Sequence, residues 1–165
     1  NFGYDVDSVV VYRVIANVTH SSIKERSDMD ELKTPPSGFV QLQGISPAED
    51  DIGPFYYMKE GTSLRCGFRV RSKNCNGLGT VHGGVLMSFA DYSSTMSALQ
   101  GVKENCATVS FNCQFITSAR LNDWIEATAE VIQRTGSLCF LTGKVALDDL
   151  PILTFQSVVK RLSKP

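Results

Sequence analysis

The sequence predicts an α+β fold, a mostly antiparallel sheet packed on a single central helix. Three observations point there. Several segments alternate apolar and polar residues with a period of two; one segment repeats at helical spacing; and 165 residues with 42% hydrophobic and 20% charged side chains suit one core-forming domain.

Residues 1–37 read as an N-terminal arm. Its polar run Ser21–Lys33 has helical character and is ended by Pro35-Pro36, since proline cannot continue a helix. Residues 38–165 form the domain proper. Phe39–Gln43 and Phe55–Met58 are short strand candidates. Leu64, Cys66, Phe68 and Val70 alternate with Ser63, Arg65, Arg69 and Arg71, the pattern of a half-buried strand. Val109, Phe111, Cys113 and Phe115 alternate with Thr108, Ser110, Asn112 and Gln114, which puts Thr108 on the polar face beside Ser110. Ile125, Ala127, Ala129 and Val131 mark a further strand. Ser137–Ala146 and Ile152–Leu162 mark two more, joined by the turn-like Asp148–Pro151.

The helix is predicted over about residues 84–99. Val85, Phe89, Tyr92, Met96 and Leu99 fall at offsets 0, 4, 7, 11 and 14, an apolar helical face. Gly83-Gly84 opens it, and Gly101 is placed to close it with a left-handed cap.

Composition narrows the function. A formal charge of −1 and a pI near 6.1 argue against nucleic acid as the main partner. No uncharged apolar run reaches the about 18 residues of a membrane span. Five cysteines without a Cys-x-x-Cys pair give neither a complete disulfide framework nor a metal cluster, and suit a reducing compartment. The acidic residues of the arm do not suit a transit peptide, so a cytoplasmic location is expected.

Chemistry concentrates in residues 74–102. At the chain's average, this stretch should hold roughly six charges, and it holds one, Asp91. A carboxylate between Phe89, Ala90 and Tyr92 is costly to bury unless hydrogen-bonded or reached by water. Asp91 shares a stripe with Gly84, Ser88, Thr95 and Ala98, small residues that permit close approach by a ligand or by another backbone. His82-Gly83-Gly84 precedes the helix, where uncovered N–H groups and the helix dipole could hold a developing oxyanion. Gly84 and Asp91 lie about 10 Å apart along a helix axis, too far to serve one carbonyl within one chain. If both act on one substrate, two chains share the site and the protein works as a homodimer.

The run Asn76-Gly-Leu-Gly-Thr-Val-His82-Gly83-Gly84, followed by Asp91 nine residues after the histidine, resembles the hotdog-fold acyl-CoA thioesterases. The branch is the phenylacetyl-CoA-thioesterase-like one that includes thioesterase superfamily member 2. The likeness runs from about Gly38 to Lys164. It implies a sheet wrapped around the central helix and hydrolysis of an acyl- or aryl-CoA thioester. The Gly83 amide, helped by the Asn76 side chain, would hold the thioester oxygen, and His82 would shape that loop. Asp91 of the partner subunit would act as general base or nucleophile, and Thr108 would position the water.

Coenzyme A contacts map onto Gly84, Phe115, Thr117, Ser118, Ala119 and Arg120, and onto Arg134, Thr135, Gly136 and Ser137. Arg120 and Arg134 would meet phosphates. Ser118 departs from the proline of many relatives. A homodimer is expected, and a homotetramer where dimers pair again, a step that no pattern in the sequence fixes. No metal or redox cofactor is called for, because a thiolate leaves readily and a base with oxyanion donors suffices. The rival reading is a non-catalytic acyl-CoA-binding or regulatory module. A dehydratase and a Cys75 nucleophile fit less well, since His20 and His82 are the only histidines.

Overall fold

The computed structural model describes residues 35–43, 46–100 and 104–162. The helix read in Ser21–Lys33 lies outside the described residues, as does Gly101. In chain order the elements are β1 (Val40–Gln41), α1 (Pro47–Ile52), β2 (Phe55–Glu60), β3 (Ser63–Arg69), a single 3₁₀ turn (Ser72–Asn74) and α2 (Gly83–Leu99). There follow β4 (Asn105–Phe115), β5 (Trp124–Arg134), β6 (Leu138–Leu147) and β7 (Leu150–Leu162).

The strands make one antiparallel sheet in the order β1-β2-β3-β5-β6-β7-β4, and α2 packs across it. The expected architecture is therefore present. β1 is shorter than predicted, β3 ends at Arg69 before Val70 and Arg71, β6 starts one residue late at Leu138, the other strands span their predicted cores, and α2 begins at Gly83. The short helix α1 was not predicted. Among the described residues no helix is long and apolar enough to cross a membrane.

The core lies between α2 and the sheet. Phe89 and Tyr92 of α2 meet Phe55 at 5.1 and 5.3 Å between ring centroids, and Phe68 meets Phe89 at 5.4 Å. Ile125, Val145, Ile152, Leu153 and Phe155 complete this apolar layer. Beyond the predicted apolar face, Ser93, Ser94 and Ser97 are also buried, and the Ser94 hydroxyl pairs with that of Ser157 on β7. The helix ends on Gln100, which takes the left-handed conformation (φ 55°) that the sequence reading assigned to Gly101.

Three register shifts correct the simple alternation of the strands. Between Thr108 and Ser110, Val109 is an extra residue opposite β7; between Val131 and Gln133, Ile132 is extra opposite β6. A bulge of one residue reverses which side chains face inward. Val109, read as inward-facing, is 61% exposed, while Thr108 turns toward α2; beyond the bulge Phe111 and Cys113 pack on the core as read, and Phe115 at the strand's end lies against Gly83. The third shift, at Val145/Ala146, accommodates Pro151 within β7, since proline has no ladder N–H to give. Among the described residues β4 pairs with β7 alone, and no other described strand meets its second edge over 11 residues.

Candidate active site

The approach to α2 is built on a buried asparagine. Asn74 is 2% exposed; its side-chain amide donates to the Ile52 carbonyl at 2.7 Å and its side-chain oxygen accepts from the Arg71 N–H at 3.0 Å. Its own carbonyl accepts from the His82 N–H at 2.8 Å, and the Val81 N–H donates to Ala119 O at 2.9 Å. Chain entry into α2 is thus fixed from both sides. Nothing in the sequence pattern set Asn74 apart from Asn76, because its importance comes from long-range partners.

Between them runs a tight loop. The Asn76 N–H donates to Thr80 O and the Gly79 N–H to Asn76 O, at 2.8 and 3.0 Å, with Gly79 at φ +74°. The Asn76 side chain turns into this loop: its oxygen accepts from the Leu78 N–H at 2.9 Å and its amide donates to the Thr80 hydroxyl at 3.0 Å. One amide hydrogen is left for anything else.

His82 is the N-cap of α2. Its Nδ1 accepts from the Gly84 N–H at 3.0 Å, and its carbonyl accepts from the Val85 and Leu86 N–H groups at 2.9 and 3.1 Å. A neutral imidazole that accepts at Nδ1 carries its proton on Nε2. A helix start leaves four N–H groups without helical partners. Here His82 engages two of the four, those of Gly84 and Val85, the Asn74 carbonyl takes that of His82 itself, and the Gly83 N–H has no acceptor among the described residues. This geometry separates the two glycines: Gly84 is committed to the cap, and Gly83 remains available. The Phe115 ring walls this position, since a Cβ on Gly83 would stand 3.2 Å from its Cζ.

Asp91 lies half-buried two turns further along. Its Oδ1 accepts from the Thr108 hydroxyl at 2.7 Å. Burial pushes its carboxyl above the usual carboxylate range, and the Thr108 hydrogen bond opposes that rise. Among the described residues the ion pairs join Arg65 to Glu60 and Glu126, and none reaches Asp91. The Val109 bulge is what turns Thr108 to Asp91. The resemblance singled out Thr108, whereas alternation put it on the polar face, away from α2.

The candidate coenzyme A contacts fall into two groups. Phe115, Thr117, Ser118, Ala119 and Arg120 stand at the N-terminal end of α2; Arg120 bridges to Thr80, while Ala119 is buried with its carbonyl holding Val81. Arg134, Thr135, Gly136 and Ser137 stand at the opposite end. There Arg134 donates to the Ala98 carbonyl at 2.8 Å, so its charge meets the negative end of the helix. Gly136 and Ser137 carbonyls are held by Arg161, at 3.1 and 2.8 Å. A helix of 17 residues is about 25 Å long, so one chain does not gather both groups around one point.

Residues 78–151 match the model of the thioesterase superfamily. A protein of Pseudomonas aeruginosa, PA0474, whose name describes it as an esterase, is 30% identical over 113 residues, 67% of this chain and 84% of its own length. The solved structure of the Escherichia coli PaaI protein, from the phenylacetic acid degradation operon, superposes with a TM-score of 0.65 at 15% identity, covering 72% of this chain and 86% of that one. Zebrafish thioesterase superfamily member 2 superposes with a TM-score of 0.62 at 22% identity, covering 72% and 89%.

Proposed function

The chain belongs to the thioesterase superfamily and has its hotdog fold, and from that premise we propose that it hydrolyses an acyl- or aryl-CoA thioester to the free acid and CoA. The observation that carries this reading is Asp91: a half-buried carboxyl with a raised proton affinity, oriented by Thr108. A base works best when its proton affinity approaches the operating pH, and burial moves Asp91 in that direction.

In the proposed reaction, Asp91 takes a proton from water as the water oxygen attacks the thioester carbonyl carbon. The carbonyl oxygen becomes an oxyanion, received by the Gly83 N–H with the remaining Asn76 amide hydrogen. Collapse breaks the C–S bond and releases the CoA thiolate, whose thiol has a pKa near about 8.5 and leaves without a strong acid. Arg120 would meet a phosphate of the same ligand.

Asp91 and Gly83 are separated by about 12 Å along α2, so the oxyanion donor comes from a second chain. The open edge of β4 supplies the means. Two copies of β4 pairing antiparallel about a two-fold axis between Phe111 and Asn112 would set Thr108 of one chain opposite Phe115 of the other. That brings Asp91 of one protomer to the Gly83 loop of its partner. Such dimers would pair again into a tetramer, and five free cysteines suit a reducing, cytoplasmic setting.

The test supplies a panel of acyl-CoAs and follows thiol release. Asp91→Asn is expected to cost roughly 10²-fold or more in kcat with KM little changed. Equal rates would remove Asp91 from the mechanism, and tight binding without turnover by the wild type would favour the regulatory module.

A further inference from the structure

We propose that Asn76 is a site of spontaneous deamidation, and that its conversion to an acid switches off the oxyanion site at the start of α2. The inference rests on Asn76 being an oxyanion donor and goes beyond that reading by giving the same side chain a second chemistry.

Asn76-Gly77 is the only Asn-Gly pair in the 165 residues. Glycine matters at the second position because no Cβ shields its backbone nitrogen. Gly77 is exposed, its N–H has no acceptor among the described residues, and a Cβ built there would meet nothing within 4 Å. Leu78, which follows, is 77% exposed, so the turn is open to water and hydroxide.

The same loop holds the electrophile. The Asn76 side-chain oxygen accepts from the Leu78 N–H at 2.9 Å, from the Thr80 N–H at 3.3 Å and from the Thr80 hydroxyl at 3.2 Å. The first of these bonds spans Gly77 and folds the side chain back over its peptide group. Together the three donors draw charge away from Cγ and would receive the negative charge that forms on this oxygen when a nucleophile adds. The other asparagines among the described residues lack the combination. Asn74 is 2% exposed, Asn105 and Asn112 lie in β4, each of these three precedes a cysteine, and Asn122 precedes Asp123, whose N–H is held by Arg120 O.

In the proposed step the Gly77 nitrogen gives its proton to hydroxide and adds to Asn76 Cγ. The Cγ–Nδ2 bond breaks, and the amide nitrogen leaves as ammonia with a proton from solvent. A five-membered imide then joins Cγ to the Gly77 nitrogen. Water opens the ring at either carbonyl, leaving aspartate or its β-linked isomer at position 76. The net change takes in one water and releases one ammonia. In the amide form, one hydrogen goes to the Thr80 hydroxyl at 3.0 Å and one remains for the oxyanion. An ionised carboxylate has no hydrogen to give and sets a negative charge beside the oxyanion.

The test ages the purified protein in warm, mildly alkaline buffer and samples it over time. Peptide mass spectrometry reads the amide-to-acid change at each asparagine, and thiol release from an acyl-CoA reads activity. Position 76 should convert ahead of every other asparagine while activity falls in step. Asn76→Asp, which makes the product directly, should be about 10²-fold or more slower than wild type from the start. Gly77→Ala fits the open space and puts a methyl beside the attacking nitrogen; it should begin at wild-type activity and keep it over the same incubation. An Asn76 that stays intact, full activity in converted protein, or a Gly77→Ala variant that decays as fast as wild type would each overturn the proposal. Absence of hydrolysis by the fresh wild type would sink the thioesterase reading alone, and the mass spectra would still decide the modification.

Discussion

Replacing Thr108 with valine isolates the contact that orients the base. Valine is nearly isosteric, so the half-buried position stays filled and the 2.7 Å hydrogen bond to Asp91 is what disappears. A hydrogen bond to a charged group contributes about 1.5–3 kcal/mol, and each 1.4 kcal/mol is about tenfold in an equilibrium. The bond favours the ionised carboxylate and opposes the rise caused by burial. Its loss must raise the proton affinity of Asp91 further. The acid limb of kcat/KM then moves to higher pH, and below the limb the variant should be about ten- to a hundredfold slower than wild type.

Above the limb the deficit should shrink, leaving only the cost of a less firmly aimed carboxylate. The assay is thiol release from an acyl-CoA across the pH range, with Thr108→Ser as the control that keeps a hydroxyl. Serine should restore most of the wild-type profile. An acid limb that stays in place or moves down in Thr108→Val, or a serine variant as impaired as the valine one, would refute the reasoning.

Other consequences concern stability. Because burial raises the folded-state proton affinity of Asp91 above its unfolded value, its contribution is fully present below the unfolded pKa and is lost as pH rises through the folded one. Asp91→Asn should thus melt at a higher temperature than wild type near neutral pH, with the difference vanishing in acid. Asn74→Ala leaves the Ile52 carbonyl and the Arg71 N–H without partners at a site 2% exposed; denaturant titration should show a loss of about 2–4 kcal/mol at unchanged m. Arg134→Gln removes the cation from the C-terminal end of α2 and should lower stability by about 0.3–1 kcal/mol while KM for acyl-CoA shifts less than about twofold. A large rise in KM at unchanged stability would return Arg134 to the phosphate-binding role.

Local pattern made much of this protein legible. Apolar residues at helical spacing locate α2 within one residue, and the alternation of Leu64, Cys66, Phe68 and Val70 describes a strand whose inner face is buried as read. The single charge in residues 74–102 singled out Asp91 for the same reason: a departure from local composition is visible without any partner. Where the chain's own periodicity settles which side faces inward, the linear order of residues is sufficient.

What only the tertiary structure decided depends on partners distant in the chain. The extra residue at Val109 exists relative to the register of β7, and it alone turns Thr108 inward to Asp91. The cap falls on Gln100 where the helix runs out, although a glycine follows it. His82 distinguishes Gly83 from Gly84 by a hydrogen bond that two adjacent glycines do not announce. Asn74 matters through a group on another element, the Ile52 carbonyl, and backbone acceptors carry no sequence periodicity. Side-chain alternation belongs to the chain, whereas register, capping and the company a carboxylate keeps belong to the packed molecule.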